Sequence, residues 1–168
     1  MTRGRTRSIA AVAAFLAVVA GAPIEAAAKK KAFVAGTVDG EAMKWKGRYV
    51  LMSYAPAGGV FIVATKRARP GKILPTIGVG CAVDLTTATF PVTMAFGCSA
   101  NYTETRVGGS FETHGWISLG EALTVTFDSF DGTRLTGSAS GVLEPVYGGD
   151  APITIDVTFG GKAVLDDH

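Results

Sequence analysis

The two cysteines of the chain, Cys81 and Cys98, are the residues with the clearest capacity for chemistry. They stand 17 positions apart, so they do not form the Cys-x-x-Cys spacing that is typical of a redox pair. A zinc site would need two more ligands at suitable spacing, and the sequence offers none. The export signal described below would place the chain in an oxidising compartment, where disulfides persist. We therefore predict one structural disulfide between the two thiols, worth about 3 kcal/mol for a loop of this length. Two separate buried thiols are the alternative.

Catalysis would have to use His114, because the other histidine, His168, ends the chain, where frayed backbone holds no precise geometry. Ser110 and Glu112 are close to His114 in sequence, but no Gly-x-Ser-x-Gly nucleophile elbow accompanies them. The acidic residues are scattered and do not indicate a paired-carboxylate site. We predict no catalytic residue, no metal site and no cofactor. A hydrolase that uses His114 is kept as the third functional hypothesis.

The stretch SFETHGWIS contains a candidate binding face. Glu112, His114 and Trp116 are two residues apart and therefore share one face of a predicted strand. A tryptophan that points outward beside polar groups can stack on a sugar or anchor a protein partner. The alternative is that Trp116 covers the edge of the core.

Basic residues form a second candidate surface. They occur in KWKGRY, where alternate residues share a face, and in TKRARPGK: Lys44, Lys46, Arg48, Lys66, Arg67, Arg69 and Lys72. Such a cluster attracts anionic polymers or lipid headgroups. Solvated strand edges and a loop explain it as well, because edge lysines also prevent aggregation. No aromatic residues interleave with the charges in a nucleic-acid-binding pattern, so we predict no nucleic acid partner.

The elements that must position these residues are strands. The sequences EALTVTFDSF and PITIDVTF alternate apolar and polar residues strictly, which is typical of half-buried antiparallel strands. Turn dipeptides such as Asp39-Gly40 and Asp131-Gly132 separate such runs. One of the runs extends from Lys44 to Ser53. The sequence predicts an all-β fold of about eight to ten strands, either a single antiparallel β-sandwich or a closed lipocalin-like barrel.

The strand RLTGSASGVL places Gly137, Ala139 and Gly141 on one face. If this face points inward, either a bulky side chain from a facing strand fills the space or a cavity remains for a ligand. Close packing of protein interiors favours the first. The second would make the protein a small-ligand carrier, with Trp45 also lining the cavity.

The N-terminus resembles a secretory signal peptide. Three arginines precede an apolar run from Ile9 to about Ala22, and small residues follow up to Ala28. The run is shorter than the roughly 20 residues that a transmembrane helix needs. We predict cleavage of residues 1–28, a single domain at residues 29–168, and a location in the periplasm or the medium. Without the leader, the domain carries 13 basic and 13 acidic residues and is neutral.

AFVAGTVDGEAMKW, ALTVTFDSFDGTRLTGSASGVL and PITIDVTFGG resemble segments of small secreted or lipid-anchored bacterial proteins of unknown function. The resemblance implies a β-sandwich and supplies no catalytic residue. The chain differs from that group in lacking a lipid-attachment cysteine and in having the Cys81/Cys98 pair. We predict an exported, non-catalytic binding module of the cell envelope or medium. Its partner would be a protein, a glycan or a small ligand, and it would have no membrane span after cleavage.

Overall fold

The computed structural model describes residues 31–56, 58–106, 113–118, 120–146 and 150–166. Twelve strands occupy most of them: β1 (Phe33–Val38), β2 (Glu41–Lys46), β3 (Val50–Ala55), β4 (Gly59–Thr65), β5 (Ile73–Cys81), β6 (Val92–Met94), β7 (Cys98–Arg106), β8 (Thr113–Ile117), β9 (Leu123–Phe130), β10 (Arg134–Pro145), β11 (Ile153–Lys162) and β12 (Val164–Leu165). The all-β prediction is confirmed. The predicted run from Lys44 to Ser53 is two strands, separated by a 3-10 turn at Gly47–Tyr49.

The strands form one hydrogen-bonded sheet that curls into a half-barrel. The path runs β12-β3-β4-β5-β7-β8-β10-β11-β1-β2, while β9 pairs with β10 and β6 pairs with β9. Every pairing is antiparallel except the one between β12 and β3. Among the described residues the path has two ends, β12 and β2, and it does not divide into two sheets. The sheet is thus a curled half-barrel and not clearly the sandwich expected from the sequence.

Strand β10 explains why the sheet does not divide. Along one edge, its residues Leu135–Gly141 pair with β9, whereas Glu144 and Pro145 pair with β8. Its other edge pairs with β11. A register shift against β9 between Thr136 and Gly137 adds local twist. One long strand thus belongs to both halves of the sheet.

The core lies on the inner side of the curl, and the alternation read from the sequence determines which residues reach it. In β9 and β11 every predicted inward residue is buried: Leu123, Val125, Phe127, Ile153, Ile155, Val157 and Phe159. Trp45, Met52 and Tyr102 from the other strands complete the same cluster. In the part of the chain that the structure describes, no helix has the length and apolar composition to span a membrane.

Two of the predicted turns have the expected chemistry. Asp39 and Gly40 have φ values of 49° and 77°, the left-handed conformation that a two-residue hairpin turn requires between β1 and β2. In the turn between β9 and β10, the Asp131 carboxylate accepts hydrogen bonds from the backbone N–H groups of Thr133 and Arg134 at 2.9 and 2.7 Å. Both hairpins are therefore closed by local interactions.

Candidate functional site

The two cysteines form the predicted disulfide. Cys81 ends β5 and Cys98 begins β7, and the two residues are direct cross-strand neighbours. Cys81 is buried at the end of the core. The bridge joins the ends of two adjacent strands, so it acts as a structural link that fixes where β5 and β7 meet.

The glycine face of β10 points inward, and its space is filled. A Cβ atom on Gly137 would lie 2.6 Å from Cζ of Phe159, which is the cross-strand neighbour of Gly137 on β11. At Gly141 a Cβ atom would collide with the backbone of Ala122. Ala139 is fully buried and Trp45 is 1% exposed. This region is therefore packed core and not the cavity considered from the sequence. The side chain that fills it, Phe159, comes from the adjacent strand β11 and not from a strand that faces β10.

The predicted binding face is only partly exposed. His114 and Trp116 lie on β8, and their rings stack with centroids 6.2 Å apart. The His114 side chain is 54% exposed, whereas Trp116 is 9% exposed and its Nε1 donates to the carbonyl of Ala151 at 3.0 Å. Trp116 therefore covers the core edge and offers no free ring to a sugar. Glu112 and His168 lie outside the described residues.

The structure brings three polar residues to His114 that the sequence did not indicate. The Nδ1 atom of His114 lies 2.8 Å from Oδ2 of Asp150, which is 36 positions later in the chain. Glu104 is the cross-strand neighbour of His114 on β7. A small pocket of about 120 Å³ is lined by Ile73, Glu104, Arg106 and His114. Glu104 and Arg106 are two residues apart on β7, but no sequence spacing relates them to His114 on β8 or to Asp150, which precedes β11.

Tyr102 links this cluster to the core. Its hydroxyl donates to Oε1 of Glu104 at 2.8 Å, and its ring packs beside Trp116 with centroids 5.8 Å apart. Burial, followed by the hydrogen bond to Glu104 and the charge of that carboxylate, raises the pKa of Tyr102. The phenol is therefore held neutral, as a hydrogen-bond donor.

The chemical capacity of this cluster is limited. Asp150 can hold the His114 imidazole in one orientation through Nδ1. A carboxylate has this role when the other ring nitrogen of a histidine acts in catalysis or binds a metal. The adjoining pocket has room for only a few atoms of a ligand. Within the described residues, no three His, Cys, Asp or Glu side chains are placed to hold a metal ion.

The basic residues form a larger surface, which we call the basic edge: Lys31, Lys44, Lys46, Arg48, Lys66, Arg67, Arg69 and Lys72. It follows β2, which ends the sheet path, and includes the loop between β4 and β5. Lys66 connects the loop to the strand, since its Nζ lies 3.7 Å from Sδ of Met43. Arg48 lies over the ring of Tyr49, 5.1 Å from its centroid. All eight side chains are exposed.

A groove runs along the outer face of β1 and β2 within this surface. It has a volume of about 530 Å³ and is lined by Lys31, Phe33, Ala35, Lys44 and Lys46. The pairing register places Phe33 opposite Lys46 and Ala35 opposite Lys44. The groove therefore has a floor of uncharged side chains and a row of ammonium groups along its side.

The charges of the basic edge are not neutralised locally. Among the described residues, no carboxylate forms an ion pair with any of these eight side chains. Of the 13 basic residues after residue 28, 10 precede Ile73, but only two of the 13 acidic residues do, Asp39 and Glu41. The domain has no net charge, but its basic residues are concentrated before Ile73 and its acidic residues after it.

No protein family, curated protein or solved structure matches this chain. The resemblance to small secreted bacterial proteins stays a prediction.

Proposed function

We propose that the protein is an exported, non-catalytic binding module of the cell envelope or medium, and that the basic edge binds a polyanion. The observation that carries this proposal is the group of eight exposed cations without a carboxylate partner among the described residues. Protection of a sheet edge against aggregation needs only one or two charges on the strand itself. It does not account for Lys31 or for the four basic residues in the loop between β4 and β5.

Export is supported by two features of the chain. Residues 1–28 combine a basic start, an apolar run and small residues before the expected cleavage point. The Cys81–Cys98 disulfide is the kind of bond that persists in oxidising compartments. Mass spectrometry of the protein from its host tests the proposal, and we expect a chain that starts near residue 29.

Polyanion binding is tested by affinity as a function of salt. Binding through several ammonium groups releases counterions, so the affinity for polyphosphate falls steeply as the salt concentration rises. Replacement of one contacting lysine lowers the slope of log K against log salt by about one. We expect this for Lys46→Gln. Asn101→Asp is the matched control, because it also lowers the net charge by one unit, at an exposed position of β7 outside the basic edge.

Two results would contradict the proposal. One is an affinity for polyphosphate that does not change with salt. The other is an equal loss of affinity in the Lys46→Gln and Asn101→Asp variants, since non-specific attraction depends on net charge and not on position.

A hydrolase that uses His114 is the second candidate, and the contact between His114 and Asp150 favours it. If the protein is a hydrolase of this kind, the wild type turns over ester or amide substrates and the His114→Ala variant does not. The carrier hypothesis has no such support, because Phe159 and the Ala122 backbone fill the space beside Gly137 and Gly141.

A further inference from the structure

We infer that the polyanion is a linear anionic polysaccharide that lies in the groove along β1 and β2. This inference rests on the proposed function, because it assigns the ligand class of the same basic edge. Three features of the groove and its surroundings carry it: an aromatic floor, an adjoining face of hydroxyl groups, and the position of the exposed apolar side chains.

Phe33 forms the floor of the groove. A Cβ atom on Gly160 would lie 2.9 Å from Cε1 of Phe33, so the ring covers this glycine while it lines the groove. Lys46 stands directly opposite Phe33 and Lys31 precedes it by two residues. An aromatic ring accepts the apolar face of a sugar, and the neighbouring ammonium groups bind its acidic substituent. A second acidic sugar would lie over Ala35, beside Lys44.

The sheet beside the groove presents hydroxyl groups. The residues next to Ala35 in register across β11, β10, β9 and β6 are Thr158, Ser138, Thr126 and Thr93. Thr93 and Thr126 hydrogen-bond each other at 3.0 Å, and Thr158 donates to the Ala35 carbonyl at 3.2 Å. Hydroxyl side chains both donate and accept, as sugar hydroxyls do. Thr158, on the strand beside β1, therefore lies where it can bind a hydroxyl group of the sugar over Ala35.

Other polyanions fit the surface less well. Single-stranded nucleic acid is bound by successive aromatic side chains, whereas Phe33 is the one aromatic residue among the described residues that line the groove. A membrane-binding surface combines cations with apolar side chains that enter the lipid. The exposed apolar side chains Leu51, Phe61, Val63 and Val164 lie on β3, β4 and β12, outside the groove. Because β4 leads into the basic loop, anionic lipid is the alternative that the vesicle probe tests.

The test compares four probes at one salt concentration: polygalacturonate, polyphosphate, single-stranded oligothymidylate and vesicles that contain anionic phospholipid. We expect polygalacturonate to bind most tightly. Phe33→Leu should weaken its binding by roughly five-fold, because the aromatic contact is lost, and leave the salt slope unchanged. The same variant should bind polyphosphate, which has no ring, as the wild type does. Phe96→Leu is the control, since Phe96 is exposed outside the groove.

Each outcome decides one of the two proposals. If polyphosphate binds as tightly as polygalacturonate, or if Phe33→Leu has no effect in a folded protein, the polysaccharide inference is wrong and polyanion binding stands. Tighter binding of oligothymidylate or vesicles also overturns the inference alone. If none of the probes binds in a salt-dependent way, the proposed function fails with it. The melting temperature of Phe33→Leu shows whether that variant is folded.

Discussion

The ring of Phe159 occupies the space that a side chain at Gly137 would need. The two residues face each other across β11 and β10, and Phe159 also packs edge-to-face on Phe127, with ring centroids 6.0 Å apart. The absence of a side chain at Gly137 is therefore a packing requirement of a filled core. This relationship removes the main structural support for a ligand cavity.

Gly137→Ala should destabilise the protein by about 1–3 kcal/mol, because the new methyl group would overlap the Phe159 ring and adjacent backbone. Urea unfolding measures this change. Gly115→Ala is the matched control, since its Cβ would meet only the side chains of Val146 and Thr103, at ordinary contact distances of 3.6 and 3.9 Å. We expect the control to stay within about 0.5 kcal/mol of the wild type. Equal stability of the two variants would show that the space beside Gly137 is open.

The double variant Cys81→Ala/Cys98→Ala should lose about 3 kcal/mol of unfolding free energy, the value for closure of a loop with a separation of 17 residues. Reduction of the wild type should produce a similar loss, and the double variant should not respond to reductant. Thiol titration of the unreduced, denatured wild type checks the premise. Two free thiols per chain would mean that the bond does not form in the protein.

Asp131 should contribute to the acid stability of the hairpin between β9 and β10. Hydrogen bonds from the backbone N–H groups of Arg134 and Thr133 lower the pKa of this carboxyl. The folded state then binds its proton less readily than the unfolded chain, so the contribution is present above the unfolded pKa of about 3.9. It is lost as the pH falls through the lower pKa of the folded state.

Asp131→Ala should accordingly lower stability by roughly 0.5 kcal/mol at neutral pH, a small value because the carboxylate is exposed. The difference from the wild type should vanish as the pH falls below about 4. Asp128→Ala is the control, because Asp128 is exposed on β9 and its carboxylate accepts no hydrogen bond from the described residues. A difference between wild type and Asp131→Ala that persists in acid would exclude the carboxylate as its source.

The sequence predicted those parts of the fold that depend on short-range chemistry. Period-two alternation places Leu123, Val125 and Phe127 in the core, because successive side chains of any strand point to opposite faces. The Asp39-Gly40 turn follows from the left-handed conformation that these residue types tolerate. The disulfide followed from the count of cysteines and the expected compartment.

Only the tertiary structure decided which distant residues meet. Asp150 reaches His114 across 36 positions, and Phe159 fills the space at Gly137, because β10 pairs with three different strands. Strand order and register place these neighbours, and alternation within one strand carries no information about its partners. The same holds for the basic edge. The sequence shows the lysines, but the pairing of β2 with β1 places Lys46 beside Phe33 and so creates a groove with an aromatic floor.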